Sequence, residues 1–254
     1  MARIFITGSV DGLGQLAANA LVRQGHHVVL HARNPERAEY GLAKVPGAEG
    51  VLVADLSSIE ETTDLASQVN NLGVFDSIIH NAGLYQVREK QLTRDGLPLL
   101  LAVNSLAPYI LTCLISKPKR LVYLSSGMHK QADASLAGLD INSPRVNYSD
   151  SKFHNLLLAM AVARQWPNVC ANAVDPGWVP TKMGGPGAPD NLEKGFQTQA
   201  WLAVGKDEHA QVSGQYFHHK AQSRYLRQAD DIRVQQKFIA FCAALTGIRF
   251  TERN

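Results

Sequence analysis

The sequence predicts an α/β domain built on a doubly wound, parallel sheet of about seven strands with helices on both faces. Three observations predict it. Short apolar runs alternate with helical stretches of about ten or more residues. The runs are continuously apolar, as strands buried on both faces require. The residues best suited to chemistry fall just after these runs, where open α/β sheets bind ligands.

Arg3–Ile6 reads as the first strand and ends in a glycine-rich turn. Leu13–Gln24 carries Leu16, Ala17, Ala20 and Leu21 at helical spacing, and Gly25 stops it. Val28–His31 is the second strand. A second helix opens at Pro35-Glu36-Arg37-Ala38, with Asn34 as N-cap and Pro35 at the first helical position. Gly50–Ala54 is the third strand, and Ser58–Asn70 a helix with a polar outer face. Ser77–His80 is the fourth strand, ending in Asn81-Ala82-Gly83. Leu97–Ile115 reads as one long apolar helix. Arg120–Leu124 is the fifth strand, ending in Ser125-Ser126. Asp150–Trp166 is a further apolar helix. Val169–Val174 is the sixth strand, ending in Asp175-Pro176-Gly177, and Gln215–Phe217 a short last one.

The 254 residues suit one domain spanning 1–254, with a loop near 177–200 as a surface loop or a lid over substrate. The net charge of +3 is scattered. The basic run Lys117-Pro118-Lys119-Arg120 reads as a solvated loop, which argues against a nucleic-acid partner. Three cysteines, Cys113, Cys170 and Cys242, show neither metal nor disulfide spacing. In apolar segments they read as buried reduced thiols of a reducing compartment. No secretory leader is legible. The stretch 97–115 approaches membrane-span length, but Pro98, Asn104 and Pro108 favour a packed helix. A cytoplasmic protein without a membrane span is the expectation.

Thr7-Gly8-Ser9-Val10-Asp11-Gly12-Leu13-Gly14 joins the first strand to the first helix. Its glycines let backbone approach a pyrophosphate, and the helix N-terminus offers free N–H groups to it. After the second strand, where an acid would accept from the ribose 2′-OH of NAD, stand His31-Ala32-Arg33-Asn34. Arg33 can pair with a 2′-phosphate, with Arg37 as a second partner, so NADP(H) is the expected cofactor. Tyr148 and Lys152 lie four residues apart, on one face of a helix. The ammonium and an oxidised nicotinamide would lower the phenol's pKa for acid–base work.

With these motifs the chain resembles the short-chain dehydrogenase/reductase family in its short, single-domain Rossmann-type form. The likeness runs from Thr7 to Phe217. It rests on the T-G-x-x-x-G-x-G turn, Asp55, Asn81-Ala82-Gly83, Asn104, Ser125-Ser126, Tyr148/Lys152, Pro176-Gly177 and Thr181.

The resemblance implies roles. Tyr148 would be general acid in reduction and base in oxidation. Lys152 would tune it and bind the nicotinamide ribose. Ser126 would hold the substrate oxygen, and Asn104 a water in a proton relay with Lys152. Gly8, Ser9, Gly12, Leu13 and Gly14 would cradle the cofactor phosphates. Asp55 and Leu56 would line the adenine site, with Asn81, Ala82 and Gly83 beside the adenosine. Pro176, Gly177, Val179 and Thr181 would border the nicotinamide.

One feature departs from many relatives. Ser126 precedes Tyr148 by 22 positions, a wide spacing similar to that of retinol-dehydrogenase-like members. Ser135 is the competing serine.

The function expected is hydride transfer between NADP(H) and a carbonyl/alcohol substrate. The alternatives are a non-catalytic dinucleotide sensor or scaffold on the same fold, and an epimerase or dehydratase. Trp178, Val179, Met183, Leu192 and Phe196 suggest a lipophilic substrate. Trp166 and Trp201 read as packing residues. In many relatives the helices at 97–115 and 152–166 pair across subunits, which implies a homodimer or homotetramer. No metal site is expected, because the adjacent pairs His26-His27 and His218-His219 on strands would point to opposite faces.

Overall fold

The computed structural model describes residues 1–87 and 91–251. Seven strands run parallel: β1 (Arg3–Ile6), β2 (His27–Ala32), β3 (Gly50–Val53), β4 (Ser77–His80), β5 (Arg120–Leu124), β6 (Cys170–Asp175) and β7 (Gln215–His218). A two-residue strand, β8 (Ala221–Gln222), pairs antiparallel with β7. The order is β3-β2-β1-β4-β5-β6-β7-β8, so the chain reverses direction across the sheet between β1 and β4. That reversal opens a crevice at the carboxyl ends of the strands.

Strand residues alternate between two cores. Ile4, Ile6, Val28, Leu30, Val122 and Val174 face α1 (Gly12–Arg23) and α7 (Leu192–Val204). Phe5, Val29, Ile78, Leu121 and Ala173 face the opposite layer. That layer contains α3 (Ile59–Asn71), α5 (Ala107–Leu114), α6 (Tyr148–Gln165) and α8 (Ile232–Thr246). The helix α2 (Pro35–Lys44) packs on β2 and β3. It starts as its sequence dictates: Asn34 accepts the Arg37 N–H at 2.9 Å, and Pro35 occupies the first turn.

The expected single helix at 97–115 is broken. It starts at α4 (Leu99–Leu101), widens into a π-helical segment at Ala102–Leu106, and resumes as α5. Leu97 accepts the Thr93 N–H, and Pro98 sits in an isolated bridge with Leu92, so neither belongs to the helix. Two further helices, α7 and α8, add to those expected. Asn191 caps the first and Asp231 the second, and Gly247, at φ 72°, ends α8 in the left-handed conformation.

The two helices expected to pair across subunits have their apolar faces filled within the chain. Every residue from Ser151 to Val162 of α6 is buried within the chain itself. The helix α8 packs on α6, and α3 packs on α5, so the apolar faces are already covered. No described helix is long and apolar enough to cross a membrane. Of the cysteines, Cys242 is buried, while Cys113 and Cys170 are only partly so; all three are free thiols.

Candidate active site

The turn between β1 and α1 is held in a fixed shape. Gly8 adopts φ 61°, and a Cβ there would stand 2.9 Å from Ala82 Cα. A Cβ on Gly14 would overlap the Asn81 side-chain amide and the Gly8 carbonyl. Asn81 Nδ2 donates to the carbonyls of Thr7 (3.0 Å) and Gly8 (2.9 Å). Thr7 Oγ1 accepts from the N–H groups of Asn81 and Ala82. The Ser9 hydroxyl donates to Ile6 O and accepts from His31 N–H, and the Ser9 N–H donates to His31 O; the residue is buried and belongs to the fold. Gly12, at φ 53°, faces open space. Leu13 and Gly14 sit in the first turn of α1, where N–H groups have no helical acceptor.

His31 is the brace that sequence reading missed. Its Nδ1 accepts the Gly8 N–H at 3.0 Å, and its Nε2 donates to Ala54 O at 3.0 Å. Accepting at Nδ1 fixes a neutral tautomer, and burial pushes its pKa down to about 4. It links the first three strand ends. Its place at the end of an apolar strand gives no sign of that role.

Asp11 was also missed, although an aspartate before a helix is an N-cap signal. It accepts the Gly12 N–H at 2.8 Å. Burial opposes its ionisation. Hydrogen bonds from Lys182, Gly12 and Arg37 outweigh that and hold its carboxyl below the usual range. Arg37 is thereby committed to Asp11 at 3.0 Å. Arg33, at the end of β2, is exposed and has no ion-pair partner among the described residues. Asp55 turns its carboxylate to the Ser57 N–H at 2.9 Å, and Leu56 is buried.

Tyr148 is the first residue of α6. Asn147 and Asp150 form a reciprocal capping box that fixes this start. One turn on, Lys152 Nζ lies 5.4 Å from the Tyr148 ring centroid and donates to Leu124 O at 3.0 Å. The Ser126 hydroxyl is near enough to the Tyr148 phenol to favour its ionised form. Ser135 is exposed and bonded to Asp133 at 2.6 Å. Tyr85 meets the Tyr148 ring edge-on at 4.7 Å.

The expected lowering of the phenol's pKa is not found in the chain alone. Burial pushes Tyr148 up to about 12; the Ser126 hydrogen bond opposes this, and Asp175 and Tyr85 add to it. Burial also pushes Lys152 down to about 8, with Asp175 pulling the other way. Asn104 lies in the π segment. Its Nδ2 donates to Leu84 O (2.8 Å) and Ser151 Oγ (3.0 Å), while Oδ1 accepts the Leu84 N–H. Only an Oδ1 lone pair is left for a water. A Cβ on Gly83 would lie 3.1 Å from Lys152 Nζ, so glycine keeps that approach open.

The loop after β6 starts at the carboxyl end of the sheet and reaches the glycine turn through Lys182 and Asp11. Gly177 has φ 81°, Trp178 N–H donates to Asp190 at 2.6 Å, and Thr181 Oγ1 accepts the Gly184 N–H. Val179 is buried, and Pro176 precedes Gly177 at the strand end. The expected opposition of His218 and His219 fails, for the rings stack at 3.7 Å. His219 has left the strand for a tight turn at φ 48°. No group of three metal-ligating side chains occurs among the described residues.

A sequence model described as short chain dehydrogenase matches residues 2–191. An uncharacterized oxidoreductase of Emericella nidulans is 45% identical over 253 residues, covering 98% of each chain. The short-chain dehydrogenase chyC of Penicillium rubens is 45% identical over 257 residues, covering 98% of this chain and 99% of its own. Among solved structures, an uncharacterized protein from Mycobacterium paratuberculosis superposes with a TM-score of 0.83 at 25% identity, covering 99% of this chain and 95% of that one. A short chain dehydrogenase from Shigella flexneri, complexed with NADP, has a TM-score of 0.65 at 22% identity, covering 87% and 97%.

Proposed function

Because the chain belongs to the short chain dehydrogenase family of oxidoreductases, we propose that it interconverts a carbonyl and an alcohol with NADP(H), using Tyr148 as general acid and base. The observation that carries this reading is the meeting of three groups beside the glycine turn. They are the Tyr148 phenol, the Ser126 hydroxyl and the Lys152 ammonium.

The residues fit a dinucleotide. Gly12 faces open space at a helix N-terminus, where a Cβ would crowd a phosphate. Arg33 has no ion-pair partner among the described residues and stands where the ribose 2′-position falls in this fold. When bound, the nicotinamide supplies or receives the hydride. The chain does the rest. Ser126 holds the substrate oxygen, and Tyr148 delivers its proton to that oxygen in reduction. Lys152 keeps positive charge near the phenol, and the Oδ1 lone pair of Asn104 is the acceptor for a relay water.

The substrate is a small, lipophilic molecule. Trp178 and Met183, 61% and 46% exposed, offer apolar surface on the loop after β6, and Tyr85 offers more beside Tyr148. The intact Tyr148–Lys152 pair argues against the non-catalytic reading.

A fluorescence titration with NADPH and with NADH tests the cofactor. NADPH binds more tightly, and Arg33→Ala weakens it about tenfold or more while sparing NADH, as loss of a charged hydrogen bond predicts. Equal binding of both cofactors removes Arg33 from this role.

A further inference from the structure

Asp175 ends β6, next to the reacting groups but outside the set described above. One oxygen is committed, since Oδ1 accepts the Gly177 N–H at 2.9 Å. The other has no well-aligned donor among the described residues. His218 Nδ1 is 3.6 Å from Oδ2, and that nitrogen contacts the main-chain oxygen of Asp175 at 3.3 Å.

Oδ2 lies against Gly127. A Cβ there would stand 3.0 Å from it, so glycine beside Ser126 admits the carboxylate to the reacting end. The carboxylate is close enough to act on Tyr148 and Lys152 alike. The buried hydroxyl of Tyr216 is near enough to interact with the carboxylate, in a geometry short of an aligned hydrogen bond. A carboxylate oxygen without an aligned donor among the described residues, on a side chain 15% exposed, therefore stands against Gly127, the neighbour of Ser126.

We propose that Asp175 determines specificity: Oδ2 accepts a hydroxyl or amide N–H that the substrate carries near its carbonyl, and rejects substrates that place a carboxylate there. The proposal rests on the reading of Tyr148 as the acid. An ionised carboxylate can only accept, so a donor gains a charge-assisted hydrogen bond. A second anion meets like charge in a pocket with little screening. Such a repulsive element is how discrimination between similar ligands is built.

The test uses two aryl ketones that differ only in a hydroxymethyl or a carboxylate substituent beside the carbonyl, with NADPH. The wild type turns over the hydroxymethyl compound with at least a tenfold higher kcat/KM. Asp175→Asn cuts that ratio tenfold or more, mainly through KM of the carboxylate compound. A common loss on both ketones with the ratio unchanged overturns the proposal and leaves Asp175 as a positioning partner of Lys152. If the variant fails to bind NADPH, the wild type decides: equal or tighter competition by the carboxylate compound overturns the proposal. If the wild type turns over neither ketone, the Tyr148 reading has failed. The two compounds are then compared as calorimetric ligands of the NADP-loaded protein, where the same preference for the hydroxymethyl compound is required.

Discussion

Lys182 Nζ, on the loop after β6, lies 2.8 Å from Oδ2 of Asp11, the N-cap of α1. Arg37 reaches the same oxygen at 3.0 Å. One carboxylate on the glycine turn therefore ties down that loop and the helix that follows β2. Because Lys182 is largely exposed, the pair is weak and salt-sensitive. Lys182→Gln should raise the Kd for NADPH about twofold to fivefold at low ionic strength, and less at about 0.5 M salt. An unchanged Kd at both strengths would show that the latch does not matter to the cofactor.

The glycines of the turn should fail in different ways. Gly14→Ala drives a methyl into the Asn81 amide and the Gly8 carbonyl. It should cost about 1–3 kcal/mol of stability and lower the melting temperature. Gly12→Ala meets no atom within 4 Å and carries only the strain of φ 53°, about 1–2 kcal/mol. Its main loss should be in NADPH affinity, because the open space is where the phosphates belong. Thermal melts paired with cofactor titrations separate the two. Equal melting temperatures and equal affinities for the two variants would contradict the assigned roles.

The sheet was legible because parallel strands buried on both faces are plain apolar runs. The site was legible because its residues stand at the ends of those runs. Other features left no such trace. The π segment at 102–106 adds no residue type that marks it, since the surrounding helix is apolar on every side. The strand β8 is two residues long. His31 works through two ring nitrogens that strand alternation does not report. The burial of α6 depends in part on α8, which lies far along the chain, so the packing of its apolar faces could not be read locally.

The pH dependence of reduction should be set by Lys152. Burial holds Tyr148 near 12, so its proton stays on through neutral pH. Lys152, pushed down to about 8, is the first of the pair to lose its charge as pH rises. The kcat/KM for reduction should fall about tenfold per pH unit above about pH 8. A flat profile between about pH 7 and 10 would remove Lys152 from the reaction.

Acid should destabilise the fold before the carboxylates titrate. Burial holds His31, His80 and His154 down to about 4, 3 and 3. Unfolded, each binds its proton near pH 6.5. Between those values the unfolded chain binds more protons, so stability is full above about 6.5 and falls as pH drops toward 4. Urea unfolding at about pH 7.5 and 5.5 should show a loss of about 1 kcal/mol per buried histidine. Equal stability at the two pH values would mean that these rings take up protons in the fold as readily as in the unfolded chain.

The most direct test of the account is NADPH oxidation with a neutral aryl ketone, by the wild type and by Tyr148→Phe. The account predicts turnover by the wild type, a loss of about 10²–10⁴-fold in kcat in the variant, and NADPH affinity within about twofold, since removing the hydroxyl leaves the glycine turn untouched. Turnover by Tyr148→Phe at the wild-type rate would contradict it.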